Sequence, residues 1–75
     1  MDFAHFETLV RGTLQRDLIE PGLYVEITTR DDGDRWVAQV VAPGRGAAHE
    51  SVRRGVGQAE AVEAVARLVE RIRGY

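Results

Sequence analysis

Residues 30–46, RDDGDRWVAQVVAPGRG, decide the fold of this 75-residue chain. Residues 35–42 alternate between apolar and other side chains, and residues 23–30 alternate in the same way. Such alternation is typical of a strand with one buried face. The dipeptide Asp32-Gly33 lies between the two runs, and Asp-Gly between alternating runs is among the strongest β-hairpin signals. The sequence therefore predicts an antiparallel hairpin.

The turn also predicts the register of this hairpin. A two-residue type I′ loop formed by the Asp-Gly dipeptide places Thr29 opposite Trp36 and Ile27 opposite Ala38. The apolar faces of the two strands then coincide without adjustment, which supports this register. We expect Trp36, the one tryptophan, to pack in the core on this face.

A first amphipathic helix precedes the hairpin. Asp2 is a suitable N-cap for a helix that starts near Phe3, and Pro21-Gly22 is expected to end it. Gly12 weakens this helix by about 1 kcal/mol relative to alanine, which a close approach of the two helices at Gly12 would explain. Apolar residues recur on one side of the helix, at Phe6, Val10, Leu14 and Leu18, with Phe3, Leu9 and Ile19 beside them.

A third strand and a second helix follow the hairpin. Pro43-Gly44 breaks the second strand, and residues 47–54 are the candidate third strand. Helical periodicity returns at Gln58, with an apolar stripe at Ala61, Val62, Val65, Leu68, Val69 and Ile72. The expected fold is a single α+β domain over residues 1–75, a two-layer α-β-β-β-α architecture. Two helices pack on one face of a three-stranded antiparallel sheet, and its other face stays open.

Composition excludes several classes of function. There is no cysteine, which excludes disulfides and thiolate metal sites. The net charge of −2 provides no general attraction to nucleic acid or anionic lipid. No apolar run is long enough to span a bilayer. We expect a cytoplasmic protein without cofactor or membrane partner.

Candidate catalytic and metal-binding residues are few. His5 and His49 are the only histidines, and Ser51 is the only serine. His49 and Glu50 are neighbours on a strand, so they point to opposite faces and do not readily bind one metal ion. Ser51 lacks an acid that would orient a histidine base. We expect neither a catalytic nor a metal site, and a protein that is not an enzyme.

The candidate partner-binding residues cluster around the predicted hairpin. Asp31, Asp32 and Asp34 lie on the turn, with Arg30 and Arg35 beside them. The aspartates exceed what the turn requires, and three carboxylates could meet an arginine-rich surface of a partner. The plain alternative is that they keep the hairpin tip soluble.

The sequence suggests two further candidate sites. Tyr24, Val37 and Val41 are expected to cluster on the open sheet face, where apolar residues often form interfaces; a homodimer through this face or an edge strand is the simple expectation. Separately, residues that precede the last helix are candidates for binding an anion at its N-terminus, and the alternative is a solvated turn. These are Arg53, Arg54, Gly55 and Gly57.

Short motifs resemble the HicB-like antitoxin domain, a β-β-β-α unit. They are Tyr24-Val25-Glu26-Ile27, then the run from Asp31 to Ala38, Pro43-Gly44, and Glu60-Ala61 in the last helix. The family does not need the first helix that is predicted here. The resemblance implies inhibition or regulation of a partner protein, such as a toxin with a basic nucleic-acid-handling surface.

The element order also resembles the double-stranded RNA-binding domain. That family places lysines at the start of its last helix, where this chain has Gln58, Ala59 and Val62. The resemblance thus implies the fold without the RNA-binding lysines, and the aspartates of the hairpin further disfavour nucleic acid.

The expected function is a small protein-binding module that inhibits or regulates a partner. One alternative is a phage or mobile-element inhibitor of a host defence complex, of the anti-CRISPR type. The other is nucleic-acid binding through Arg45, Arg53, Arg54 and the last helix, which predicts affinity that falls steeply with salt.

Overall fold

A computed structural model describes residues 1–18 and 24–74. The chain forms helix, three strands and helix, and the strands make one antiparallel sheet in the order β1-β2-β3. The predicted α-β-β-β-α order and α+β class are therefore confirmed. The elements are α1 (Phe3–Asp17), β1 (Glu26–Asp31), β2 (Arg35–Ala42), β3 (Gly46–Arg53) and α2 (Gln58–Arg73). Neither helix in the described ranges is long and apolar enough to cross a membrane.

The helix starts follow the sequence signals. The Asp2 carboxylate accepts a hydrogen bond from the His5 N–H at 2.8 Å and caps α1 as predicted. Helix α1 ends at Asp17, whereas the predicted stop at Pro21-Gly22 lies outside the described residues. Helix α2 begins at Gln58, as predicted.

The core lies between the helices and one face of the sheet. From β2 it takes Trp36, Ala38, Val40 and Ala42, and from the helices mainly Phe6, Val10, Leu14, Ala61, Val65, Leu68 and Ile72. The Trp36 side chain is 3% exposed and packs at ring-centroid distances of 5.6 Å from Phe3 and 5.5 Å from Phe6. The prediction that Trp36 is a core residue is confirmed. Val62, which the predicted stripe included, is exposed.

The predicted hairpin register is wrong by two residues. Thr29 pairs with Ala38 and Asp31 pairs with Trp36. The Asp32 N–H donates to the Arg35 carbonyl at 2.9 Å, so the central residues of the loop are Gly33 and Asp34. Gly33 has φ 87°, and no described non-glycine residue has positive φ. A type I′ turn needs positive φ at both central residues, whereas type II′ needs it only at the first, where glycine lies here.

The other strand boundaries differ slightly from expectation. Strand β1 begins at Glu26 rather than at residue 23, which lies outside the described residues. Strand β3 is Gly46–Arg53, one residue earlier than predicted at each end. Between β2 and β3, the Arg45 N–H donates to the Ala42 carbonyl at 2.9 Å, and Gly44 has φ 81°. Proline followed by such a glycine is the pattern of a type II turn.

Candidate protein-binding surface

The three aspartates of the β1–β2 turn have different roles. Asp31 Oδ1 accepts a hydrogen bond from the Gly33 N–H at 2.9 Å and shapes the turn. Asp32 Oδ1 lies 2.7 Å from Arg30 Nε, and this hydrogen bond and the charge of Asp32 raise the pKa of Arg30. The exposed Asp34 carboxylate makes no ion pair within residues 1–18 and 24–74. Of the three aspartates, only Asp34 has a carboxylate that neither shapes the turn nor forms an ion pair within the described residues.

Two arginines, the last residue of β3 and the residue after it, lie beside this turn. Arg53 pairs with Arg35 in the β2–β3 register, and the Arg54 N–H donates to the Asp34 carbonyl at 2.8 Å. With Arg30 they make four arginines beside three aspartates. We call these seven residues the hairpin end. The β2–β3 pairing thus adds Arg53 and Arg54 to the predicted Arg30 and Arg35, and this end of the molecule is mixed in charge.

The predicted anion site at the start of α2 faces a carboxylate of the chain itself. Glu60 lies in the first turn of α2 and pairs with Arg53 at 3.5 Å. A negative side chain near a helix N-terminus interacts favourably with the helix dipole. Gly55, with φ 75°, and Gly57 form the exposed turn before the helix. The arrangement matches the alternative of a solvated glycine turn better than an anion site.

A polar cleft of about 360 Å³ adjoins the hairpin end. Within it, Arg35 Nε donates to Ser51 Oγ at 3.0 Å, and Arg35 Nη2 donates to the Ser51 carbonyl at 3.2 Å. Acidic and basic side chains both line it, so their charges largely compensate each other. The lining residues are Arg35, Ser51, Val52, Arg53, Glu60, Glu63 and Arg67.

The expected pairing of Tyr24 with Val41 on the open sheet face is not found. Val37 and Val41 are half-buried on β2, and Gln39 lies between them on the same face. Glu26, rather than Tyr24, pairs with Val41 because the register differs by two residues from the predicted one. The Tyr24 side chain is 67% exposed and precedes β1. The open face is therefore mainly polar, with the two valines in its centre.

His49 and Glu50 point to opposite faces, as expected. His49 pairs with Gln39 and is exposed. The Glu50 side chain lies on the helix side, is 15% exposed, and accepts a hydrogen bond from Arg67 Nε at 2.9 Å. It anchors α2 to β3, a role that the sequence analysis missed. Among the described residues no group of three or more histidine, aspartate or glutamate side chains could hold a metal ion.

The alternative nucleic-acid surface is not continuous. Arg45 lies in the β2–β3 turn, whereas Arg53 and Arg54 lie at the far end of β3. An eight-residue strand separates them, which corresponds to roughly 25 Å. On α2, Arg71 donates to the His49 carbonyl at 2.7 Å and lies among exposed glutamates.

No family model matches the chain, and the comparisons with curated proteins and with solved structures find no match. The resemblances to HicB-like antitoxins and to double-stranded RNA-binding domains therefore stay predictions.

Proposed function

We propose that this chain is a non-enzymatic protein-binding module that inhibits or regulates a partner protein through its hairpin end. The observation behind the proposal is the exposed carboxylate of Asp34 at the tip, which makes no ion pair within the described residues and is flanked by four arginines. Complementary charge patterns at an interface determine specificity and the association rate. The partner surface would present a basic side chain to Asp34 and acidic side chains to the arginines.

This charge pattern refines the kind of partner. A uniformly basic surface would meet Arg53 and Arg54 as well as the aspartates, and the like charges would repel. A surface with alternating charges, such as the rim of a nucleic-acid-handling protein, matches the hairpin end better. The HicB-like motifs favour a toxin as the partner, and a cytoplasmic location is part of the same proposal. A host defence complex remains the alternative partner.

Nucleic acid is the second candidate ligand, because Arg35, Arg53 and Arg54 gather at one end of the sheet. The Arg54 side chain makes no ion pair within the described ranges. Phosphate contacts provide most of the affinity in such complexes and make it strongly salt-dependent. Glu60 and the aspartates of the hairpin oppose this candidate.

The proposal is tested by affinity capture from the source lysate, with and without nuclease, using the wild-type chain and two variants. Asp34→Arg reverses the exposed charge at the tip, and Glu70→Arg makes the same change on the exposed surface of α2. We expect a stoichiometric protein that survives nuclease, is lost with Asp34→Arg and is retained with Glu70→Arg. Equal capture by both variants would exclude the hairpin end, and nuclease-sensitive capture would support the nucleic-acid candidate.

A further inference from the structure

The two edges of the sheet differ in how their outward backbone groups are bound. In β3 the groups that point away from β2 belong to residues 47, 49, 51 and 53, because hydrogen bonding alternates along an antiparallel pair. The His49 carbonyl accepts from Arg71 and the Ser51 carbonyl from Arg35. The Arg53 carbonyl accepts from the Val56 N–H. Three outward carbonyls of strand β3 therefore already have hydrogen-bond donors from within the chain.

The outer edge of β1 has fewer backbone groups that are bound from within the chain. Asp32 bonds to β2, so the backbone groups of residues 27, 29 and 31 point outward. Arg11 Nη1 donates to the Ile27 carbonyl at 3.2 Å. No other hydrogen bond to these outward groups is found in the described part of the chain. An unpaired edge of this kind is a template for strand pairing with another chain.

We propose that two copies of this chain pair through their β1 edges, antiparallel about a two-fold axis at Thr28. In this register Ile27 pairs with Thr29 of the second copy, and both residues have outward backbone groups. Thr28 faces Thr28 of the second copy as a non-hydrogen-bonded pair. The product is a continuous six-stranded sheet.

Charges on the open face support this register. Glu26 and Arg30 are exposed, and the two-fold axis at Thr28 places each opposite the other in the second copy. Opposite charges and threonine pairs directly across two strands are stabilising. A two-fold axis at Thr29 would instead place Glu26 opposite Asp32, and an axis at Arg30 would place Arg30 opposite itself. Charged residues often deter edge pairing, but here they deter it in the other registers.

Charges on the helix side give a second, separate argument. Arg11 of α1 reaches the Ile27 carbonyl, and Glu7 of α1 accepts a hydrogen bond from the Thr29 hydroxyl. Because Ile27 pairs with Thr29 of the second copy, Arg11 comes beside Glu7 of that copy. The Thr29 N–H of the second copy can then replace Arg11 at the Ile27 carbonyl. One two-fold axis thus complements charges on both faces of the sheet.

Sedimentation velocity over a protein concentration series tests the association directly. We expect a reversible dimer that dissociates more readily at high salt. Glu26→Arg places like charges opposite Arg30 twice per dimer and should weaken association at least about fivefold. Glu63→Arg makes the same charge change on an exposed site of α2 and should leave association unchanged.

Cysteine pairing tests the register itself, because the native chain has no cysteine. The Cα atoms of a non-hydrogen-bonded pair lie about 4.5 Å apart, within the range that a disulfide can bridge. Under mild oxidation Thr28→Cys should give a disulfide-linked dimer much faster than Gln39→Cys, a control on the same face of the central strand. Equal rates would exclude this register. A wild-type chain that stays monomeric at about 1 mM in low salt would exclude the dimer.

Discussion

Replacing Gly12 with alanine should stabilise the fold by about 1 kcal/mol, the difference between glycine and alanine in a helix interior. Gly12 lies well inside α1 and is exposed. A Cβ atom built at Gly12 has no heavy atom within 4 Å, so the added methyl meets open space. The close helix approach that the sequence suggested as a reason for this glycine is therefore wrong. The expected gain comes from the lower backbone entropy of alanine in the unfolded chain.

Thermal and urea unfolding measure this gain. For a domain of this size 1 kcal/mol corresponds to a rise in Tm of roughly 4–8 °C. Circular dichroism follows the helices and fluorescence follows the buried Trp36, so coincident transitions would show that unfolding is two-state. Both variants should be compared at one low protein concentration, because self-association would also raise Tm.

The reverse substitution at a matched site is the control. Ala66 is exposed in the interior of α2, so Ala66→Gly should lower stability by about the amount that Gly12→Ala adds. If Ala66→Gly destabilises while Gly12→Ala lowers Tm or leaves it unchanged, the surface at Gly12 is not open. Helix propensity would then not determine the stability change at Gly12.

Four further substitutions test the core and the turn. Phe6→Ala removes a ring that packs on Trp36 and should cost about 3–5 kcal/mol, enough to populate unfolded chains in a circular-dichroism melt. Gly33→Ala forces a side chain into positive φ and should cost about 1–2 kcal/mol in urea unfolding, with unchanged helix content. Asp31→Ala removes the bond to the Gly33 N–H and should cost about 1 kcal/mol. Asp34→Ala should stay within about 0.5 kcal/mol in the same melts.

The element order could be predicted from the sequence because each element has a strong period. Strand β2 alternates strictly and is bounded by turn residues, and both of its ends were predicted correctly. Helix α2 starts at the predicted residue for the same reason. Val62 shows the limit of this approach. It lies at the margin of the apolar stripe, and the sequence does not say how far the sheet reaches around the helix.

The hairpin register could not be chosen from side-chain pattern alone. Strands repeat every two residues, so a slip of two leaves every side chain on its predicted face. Only the turn distinguishes the two registers, and Asp32-Gly33-Asp34 is compatible with both. Its first two residues fit a type I′ loop, and its last two fit a type II′ loop with glycine first. The structure has the second, in which Asp32 keeps a negative φ.

The residues of the hairpin end could not be identified from neighbouring positions in the chain. Asp34 and Arg54 are twenty positions apart, and only the pairing of β3 with β2 brings them together. Neighbours in the chain place only Arg30 and Arg35 beside the aspartates, whereas the neighbouring strand brings Arg53 and Arg54 to the same end.

Two arginines also occupy outward carbonyls on the β3 edge of the sheet. Arg35 binds both the hydroxyl and the carbonyl of Ser51 through two nitrogens of its guanidinium group. Arg71 binds the next outward carbonyl along β3, that of His49. A lysine ammonium lacks this planar fork and would not match two acceptors in the same way.

The difference between the edges has a consequence for assembly. Pairing of two β1 edges about a two-fold axis uses the open edge of each copy and leaves only the arginine-bound β3 edges outside. A two-fold interface is closed, so no further strand is added, whereas an open edge on both sides would permit unlimited growth. Loss of the Arg35 and Arg71 side chains should therefore convert a discrete dimer into larger assemblies. Sedimentation of Arg35→Ala with Arg71→Ala would detect them, and a species distribution identical to wild type would contradict this role.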